Sequence, residues 1–372
     1  MLQKEKRMKY IFITVMMMSI SSVTIGQKSA GEQLEKYVSK YIEMEINLEE
    51  VPGVLIGLID GDSTYVFSFG TAAKGNTQQL TDSSIFEIGS LTKVFTASLL
   101  QVLVDEGKIA YDNTLADYID TIHLHPSLHE ITIWNLATHT SGFPRLPTNF
   151  SIKNIDSNNP YKYYTDTDLQ HFLKDYHLLK QGTYLYSHLN FVLIEKIIEI
   201  VEQEKYSEVL NHKLLQPLHL SNTTYDLDSL QQERLAIGYL LDGTEAPFTA
   251  VSTFYGSVGL MSDMQDLIQF VRLNLELEPS KLQSSLVQTQ AAQVNTGISK
   301  DIDVGIGWHV VRPKRRYYEV ISHRGTGVGH QAYIAFVPET QTAVIVLANA
   351  RNSLEGLGYF MLKMINNNWR RR

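Results

Sequence analysis

The sequence Ser90-Leu91-Thr92-Lys93 is the most informative stretch for the fold, and it is the only Ser-x-x-Lys among the 372 residues. It joins a run of apolar and small residues, Ile85 to Gly89, to a helix-like segment, Leu91 to Glu106. A serine at a helix N-terminus lies beside backbone N–H groups that can stabilise a developing negative charge. A lysine three residues later lies on the same helical face, where its amine can reach the hydroxyl. Serine needs such a base, and lysine can be one when burial or other positive charge lowers its pKa.

The same tetrapeptide has a simpler interpretation, in which Ser90 caps a helix and Lys93 is solvated. Short motifs of this size occur by chance in many proteins. Taken alone, the tetrapeptide favours the simpler interpretation, so the rest of the chain has to discriminate between the two.

The chain before and after the tetrapeptide alternates between strand-like and helix-like patterns. Val54–Ile59 and Tyr65–Phe69, separated by Asp60-Gly61-Asp62-Ser63, are typical of a β-hairpin. Apolar periodicity predicts helices at Gly31–Glu50, Asp166–Tyr176, Asn190–Glu202, Tyr206–Leu215, Ser262–Glu276 and Ser353–Asn366, and strands at Gly307–Arg312, Tyr317–Ser322, Ala332–Val337 and Thr342–Leu347. This order predicts an α+β fold: an antiparallel β-sheet flanked by N- and C-terminal helices, with an inserted, mostly helical lobe.

The N-terminus has the pattern of a secretory signal peptide over residues 1–26, with Met1 or Met8 as the start. Interspersed Ser and Thr argue against a permanent membrane span in the mature form. We therefore expect an exported, periplasmic or secreted protein whose domain covers 27–372. Within it, an α/β lobe is predicted at about 27–111 plus 300–372, and a helical lobe at about 112–299.

Charge and cysteine content exclude several classes of function. The formal net charge is −8, and it becomes −11 without residues 1–26, a balance that disfavours nucleic acid and anionic membranes as partners. The chain has no cysteine, so disulfides, thiol catalysis and a lipoprotein anchor are excluded. The sequence does not indicate an oligomeric state.

Several segments resemble, in order, the motifs of the serine β-lactamase and penicillin-binding-protein superfamily, and within it the class C β-lactamase-like branch. The resemblance covers about Val51 to Asn349. It is carried by Phe86–Lys93 (the nucleophile motif), Ile131–Gly142 ("LLTHTSG"), Gly182–Ser187 ("PGT…YSN"), Pro217–Leu220 ("PLGM"), Gly256–Asp263 ("GGLxST"), Gly305–Trp308 and His323–Gly325. The branch includes D-alanyl-D-alanine carboxypeptidases, D-aminopeptidases and esterases.

The resemblance implies a catalytic set of Ser90 as nucleophile, Lys93 as its partner and Tyr186 as a proton shuttle, expected as a phenolate near two positive groups. It also implies an oxyanion hole formed by the N–H groups of Ser90 and Thr326. His323-Arg324-Gly325 occupies the Lys-Thr-Gly position and is expected to bind substrate beside strand Tyr317–Ser322.

One position departs from the family pattern, because His188 stands where an asparagine usually follows the tyrosine by two residues. Together with His323 in place of lysine, it indicates a small-molecule ester or a D-amino-acid peptide as substrate rather than efficient β-lactam hydrolysis. The alternative is a penicillin- or peptidoglycan-peptide-binding sensor with little turnover. No cofactor is expected, and the cluster His123, His125, His129 is a weak metal signal compared with a plain loop. His139 is expected to anchor its loop.

Overall fold

The computed structural model describes residues 25–47, 50–150, 159, 161–249, 251–312, 318–351 and 354–367. The predicted signal peptide therefore lies outside the described residues except for Ile25 and Gly26. The strands are β1 Gly53–Asp60, β2 Ser63–Gly70, β3 Phe86–Glu87, β4 Met261–Ser262, β5 Val294–Asn295, β6 Ile302–Val304, β7 His309–Val311, β8 Val320–Thr326, β9 Gln331–Val337 and β10 Thr342–Ala348. The α-helices are α1 Ile25–Glu45, α2 Thr92–Asp105, α3 Leu115–Tyr118, α4 Ile133–Ala137, α5 Asp166–Asp175, α6 His188–Glu202, α7 Tyr206–Leu210, α8 Ser229–Gln232, α9 Met264–Asn274, α10 Gln283–Gln288 and α11 Glu355–Asn367.

Eight of the strands form one antiparallel sheet in the order β2-β1-β10-β9-β8-β7-β6-β5. The predicted hairpin is β1–β2, with Asp60 paired to Ser63 beside the turn at Gly61, whose φ is +58°. Strand β1 also pairs along its length with β10, so the first and last strands of the sequence lie side by side, second and third from one edge of the sheet. The prediction of an antiparallel sheet with flanking helices is confirmed.

Each face of the sheet is covered by a separate apolar cluster. One face packs against α1 and α11, whose Tyr41 and Phe360 rings stack at 4.2 Å. The other face packs against α2 and α9, where Phe95 and Phe270 stack at 4.4 Å. Helix α2 is buried over Thr92–Leu103 because its sequence is apolar or small almost all the way round. The helix that follows Ser90 is therefore central to the molecule.

Several element boundaries differ from the sequence prediction. Helix α1 ends at Glu45 rather than Glu50. Strand β8 runs on through Thr326, whereas the pattern predicts its end at Ser322, because Gly325 and Thr326 still pair with Ala332 and Gln331 of β9. The predicted helical lobe, 112–299, also contains β4 and β5, and its limits remain a prediction. Across the described ranges, every helix is too short or too polar to cross a bilayer.

Candidate active site

Ser90 lies in a 3-10 turn, Gly89–Leu91, that leads directly into α2. The turn is held by the Thr92 hydroxyl, which donates to the Gly89 carbonyl at 2.7 Å. Gly89 has φ +51°, a conformation that a residue with a Cβ rarely adopts. Ser90 is nearly buried, with 7% of its surface exposed, and it lines a cavity. The sequence prediction of a serine at the start of a helix is confirmed.

Strand β8 passes against this turn at backbone distance. A Cβ on Gly325 would lie 1.8 Å from the Ile88 carbonyl oxygen, and one on Gly89 would lie 2.5 Å from the Thr326 carbonyl carbon. From the sequence, Gly325 is expected to bind substrate. In the structure it allows β8 to pass close to the Gly89–Leu91 turn, and this contact sets the position of Ser90 relative to the strand.

We expect Gly325→Ala to destabilise the protein by about 3 kcal/mol and to reduce activity more than tenfold, because backbone atoms must move to relieve the clash. Gly356→Ala is the matched control, since a Cβ there meets nothing within 4 Å and the residue lies in the first turn of α11. Urea unfolding and turnover of both variants test this. A Gly325→Ala protein as stable and active as Gly356→Ala would contradict it.

Lys93 is fully buried and its amine contacts three oxygen or nitrogen atoms. Nζ lies 3.3 Å from Ser90 Oγ, 3.1 Å from His188 Nδ1 and 2.9 Å from the Ser257 carbonyl oxygen. No carboxylate of the described residues lies within ion-pair distance of it. Burial, with a further contribution from the positive charge of Arg145, holds the pKa of Lys93 well below its usual range. The neutral amine that a base requires is therefore favoured.

Tyr186 is placed between Ser90 and several cationic or aromatic groups. Its side chain hydrogen-bonds to that of Ser90, and Lys93 Nζ lies 5.2 Å from the ring centroid. Burial raises the pKa of Tyr186 to about 12, although the Ser90 hydrogen bond and the charge of Arg145 act in the opposite direction. The resting side chain is thus a phenol. Burial outweighs the positive charges, so the phenol is favoured over the expected phenolate.

Two residues of the loop after α4 contact Tyr186. His139, with φ +58°, accepts a hydrogen bond from the Ser187 backbone N–H at 3.2 Å, and its ring lies 4.6 Å from that of Tyr186. The guanidinium of Arg145 lies 5.2 Å from the centroid of the Tyr186 ring. The backbone carbonyl of Arg145 accepts a hydrogen bond from the His188 N–H. His139 has the anchoring position expected of it. Arg145 was not singled out from the sequence.

His188 is the first residue of α6 and is buried beside Lys93. Its Nδ1 lies 2.9 Å from the Ser257 hydroxyl as well as 3.1 Å from Lys93 Nζ. Burial, with a further contribution from the positive charge of Arg145, holds the pKa of His188 well below its usual range, so the ring is neutral at pH 7. The ring nitrogen can therefore accept a hydrogen bond from the lysine.

His323 is a buried residue of β8 and lines the same cavity. Its Nδ1 lies 2.7 Å from the Gly307 carbonyl oxygen, which can only accept, so the ring hydrogen is on Nδ1. Burial holds the pKa of His323 well below its usual range. A neutral ring with Nδ1 already donating leaves Nε2 as an acceptor, unlike the lysine of penicillin-recognising relatives.

The direction of the Thr326 N–H follows from the strand pairing. Gly327 N donates to His330 O at 2.9 Å, so Thr326 and Gln331 form a non-hydrogen-bonded pair. The Thr326 N–H therefore points away from β9. It points to the other edge of β8, which is open here because β7 pairs with β8 only as far as Ser322. That edge is beside Gly89, the residue that precedes Ser90.

These side chains meet in one cavity of about 670 Å³. Its lining includes every predicted site residue except Lys93 and Gly325, which lie behind it, and also carries three arginines at 145, 324 and 351. The histidines at 123, 125 and 129 are not part of it. The described residues contain no group of His, Cys, Asp or Glu arranged to hold a metal ion.

An antiparallel sheet with a serine and a lysine at the head of a central buried helix is the architecture of the serine β-lactamase and penicillin-binding-protein superfamily. The family model described as Beta-lactamase matches residues 39–358, and the chain belongs to this family. It is an enzyme of the β-lactamase-related serine hydrolase type.

Individual relatives are distant in sequence but similar over their full length. A D-alanyl-D-alanine-carboxypeptidase/endopeptidase, AmpH, of Escherichia coli (strain K12) is 24% identical, covering 94% of each chain. A Beta-lactamase of Pseudomonas fluorescens is 23% identical, covering 85% of this chain and 93% of the relative. The solved Beta-Lactamase/D-Alanine Carboxypeptidase from Pseudomonas syringae has a TM-score of 0.79 at 20% identity, covering 91% of this chain and 99% of that one.

Proposed function

We propose that this enzyme hydrolyses an ester or amide through an acyl-enzyme on Ser90. The contact that carries the proposal is Lys93 Nζ to Ser90 Oγ, 3.3 Å, made by a buried amine with no acidic partner in the described chain. Such an amine can take the serine proton as Oγ attacks the substrate carbonyl. The N–H groups of Ser90 and Thr326 would stabilise the resulting oxyanion.

Tyr186 completes the proton balance in this proposal. Its phenol, hydrogen-bonded to Ser90, gives a proton to the leaving oxygen or nitrogen as the bond to the carbonyl breaks. The phenolate then takes a proton from water, which attacks the acyl-enzyme. Ser90 Oγ leaves with the proton that Lys93 held, and all three side chains return to their first state.

The two histidines bear on the substrate class. His323 offers an acceptor and no charge, so a substrate carboxylate gains no cation from that position. His188 stands where the family has an asparagine, whose amide offers an N–H₂ donor. An imidazole Nδ1 that accepts a hydrogen bond from Lys93 does not offer that donor. Both observations argue against efficient β-lactam turnover, and the neutral His323 favours an ester; the D-amino-acid peptide is supported instead by a relative named as a D-alanyl-D-alanine-carboxypeptidase/endopeptidase.

Three substrate types offered to one purified sample separate the alternatives: p-nitrophenyl esters, D-Ala-D-Ala peptides and nitrocefin, with intact-mass detection of acyl-enzyme. Turnover of esters or peptides supports the proposal. A stable adduct with fluorescent penicillin and no turnover of any substrate would instead establish the binding or sensor alternative. Efficient nitrocefin hydrolysis would contradict the inference from His188 and His323.

The pH profile should reflect the lowered pKa of Lys93. Protonation removes the lone pair of the base, so kcat/KM should fall at acid pH and rise as the amine loses its proton. With an ordinary lysine the rise would continue to about pH 10. Because the pKa is held well below that range, we expect kcat/KM on the best substrate to level off well before pH 10. A steady tenfold increase per pH unit up to about pH 10 would contradict it.

We also propose that the enzyme is exported, with cleavage near Gly26–Gln27. The proposal is supported by the basic start and short apolar run of residues 1–26. The intact mass of the protein recovered from a periplasmic or culture fraction tests it. A mass that retains the first 26 residues would contradict cleavage.

A further inference from the structure

The segment Gly256-Ser257 lies between α2 and α6, the two helices that carry the predicted catalytic and substrate-binding residues. From α2, Thr96 Oγ1 donates to the Gly256 carbonyl at 2.6 Å and Lys93 Nζ to the Ser257 carbonyl at 2.9 Å. From α6, Glu195 accepts the Gly256 N–H at 2.7 Å, and His188 Nδ1 lies 2.9 Å from the Ser257 hydroxyl. The segment is thus held by four side chains.

The segment has little freedom to move. A Cβ on Gly256 would lie 2.5 Å from the Phe191 carbonyl oxygen and 2.8 Å from Glu195 Cβ, so α6 packs directly on its backbone. The Ser257 N–H donates to the Phe254 carbonyl at 3.0 Å, and Ser257 is completely buried. Both polar atoms of Ser257 that face the site therefore have fixed positions.

The hydrogens around Lys93 can be counted. A neutral amine has two hydrogens and one lone pair, and the Ser257 carbonyl can only accept, so one hydrogen goes there. If the lone pair faces Ser90 Oγ, the second hydrogen must go to His188 Nδ1. That is possible only when Nδ1 carries no hydrogen of its own.

We propose that Ser257 is a positioning residue whose hydroxyl donates to His188 Nδ1, keeps the ring hydrogen on Nε2, and thereby turns the lone pair of Lys93 towards Ser90. The Ser257 hydroxyl at 2.9 Å and the Lys93 amine at 3.1 Å then both direct a hydrogen at the single lone pair of Nδ1. An asparagine at position 188 needs no such control, because its amide oxygen always accepts. The Ser257 hydroxyl therefore allows a histidine to take the place of an asparagine at position 188. The inference rests on the proposed acyl-enzyme function.

The test is a double-mutant cycle of Ser257→Ala and His188→Asn, with kcat and KM measured on the best substrate of the panel. We expect Ser257→Ala to lower kcat about tenfold in the His188 enzyme and to leave KM within about twofold. In the His188→Asn background the same change should lower kcat less than about threefold. Equal losses of kcat in both backgrounds would overturn the inference, because they would show a merely structural role.

The His188 tautomer gives a readout that does not depend on activity. In ¹⁵N-labelled protein, with the His188 signals assigned by their loss in His188→Asn, we expect Nε2 to carry the hydrogen in the parent protein and a mixture of tautomers in Ser257→Ala. Hydrogen on Nδ1 in the parent protein would overturn the inference.

Ser262→Ala is the matched control, since Ser262 is also fully buried and its hydroxyl lies 2.9 Å from that of Thr223, away from the cavity. Ser262→Ala should leave both the His188 tautomer and kcat unchanged. If Ser90→Ala retained full turnover, the proposed function itself would fail. If Ser90→Ala were inactive but Ser257→Ala behaved like Ser262→Ala, only the inference about Ser257 would fail.

Discussion

Ser90→Ala is expected to lower kcat on any substrate of the enzyme by about 10⁴-fold or more, because no acyl-enzyme can form without the hydroxyl. Ser90 lies in the 3-10 turn with its Oγ within reach of Lys93 and hydrogen-bonded to Tyr186. Alanine fills nearly the same space, so the fold and the cavity should persist. The measurements are kcat and the intact mass of the protein shortly after mixing with substrate, which should show no covalent adduct.

The matched control is Ser98→Ala, two turns further along α2. Ser98 is completely buried, and its hydroxyl donates to the Val94 carbonyl at 2.8 Å, within the helix. It should lose at most about 1 kcal/mol of stability and keep its activity. Full turnover by Ser90→Ala would show that another residue is the nucleophile.

Lys93→Met is expected to slow acylation by about 10³-fold, since the base that takes the Ser90 proton is removed. Its effect on the free energy of unfolding should be small or stabilising. A buried amine without a carboxylate partner costs free energy in the folded state, whereas the methionine side chain is apolar and of similar length. Pre-steady-state kinetics and urea unfolding separate the two effects.

Lys213→Met is the matched control, for which we expect lower stability and unchanged acylation. Lys213 lies 2.9 Å from Glu106 and 3.7 Å from Glu202, far along the chain from the catalytic motifs. Losing these ion pairs should cost some stability and leave acylation unchanged. Acylation of Lys93→Met at the rate of Lys213→Met would contradict the role of Lys93 as base.

The sheet and most helices could be predicted because their signals are local. The β1–β2 hairpin follows from the strand-like runs on either side of Asp60-Gly61, and most of α6 from the apolar periodicity of Asn190–Glu202. The continuation of β8 to Thr326 could not be predicted, since glycine weakens a strand pattern. What fixes Gly325 in the strand is its contact with Ile88, more than 200 residues away.

The site residues also divide into those that local motifs predict and those that depend on neighbours distant in the sequence. Ser90, Lys93, Tyr186 and His323 belong to ordered motifs, and the structure brings all four together. Arg145 and Ser257 escaped notice because their roles depend on three-dimensional neighbours: a guanidinium over the Tyr186 ring, and a hydroxyl against His188. The protonation of Tyr186 could not be predicted because motif spacing carries no measure of burial.

The pairing of β1 with β10 has a consequence for synthesis of the protein. Strand β1 pairs on one side with β2, the next strand along the chain across the Gly61 turn, but its other neighbour is β10, Thr342–Ala348, close to the C-terminus. Until that strand has left the ribosome, one whole edge of the hairpin has no partner from the same sheet. Closing so long a loop is slow, and an open edge invites pairing with other chains. We therefore expect the incomplete hairpin to be prone to pairing with other chains until synthesis of the polypeptide is nearly finished.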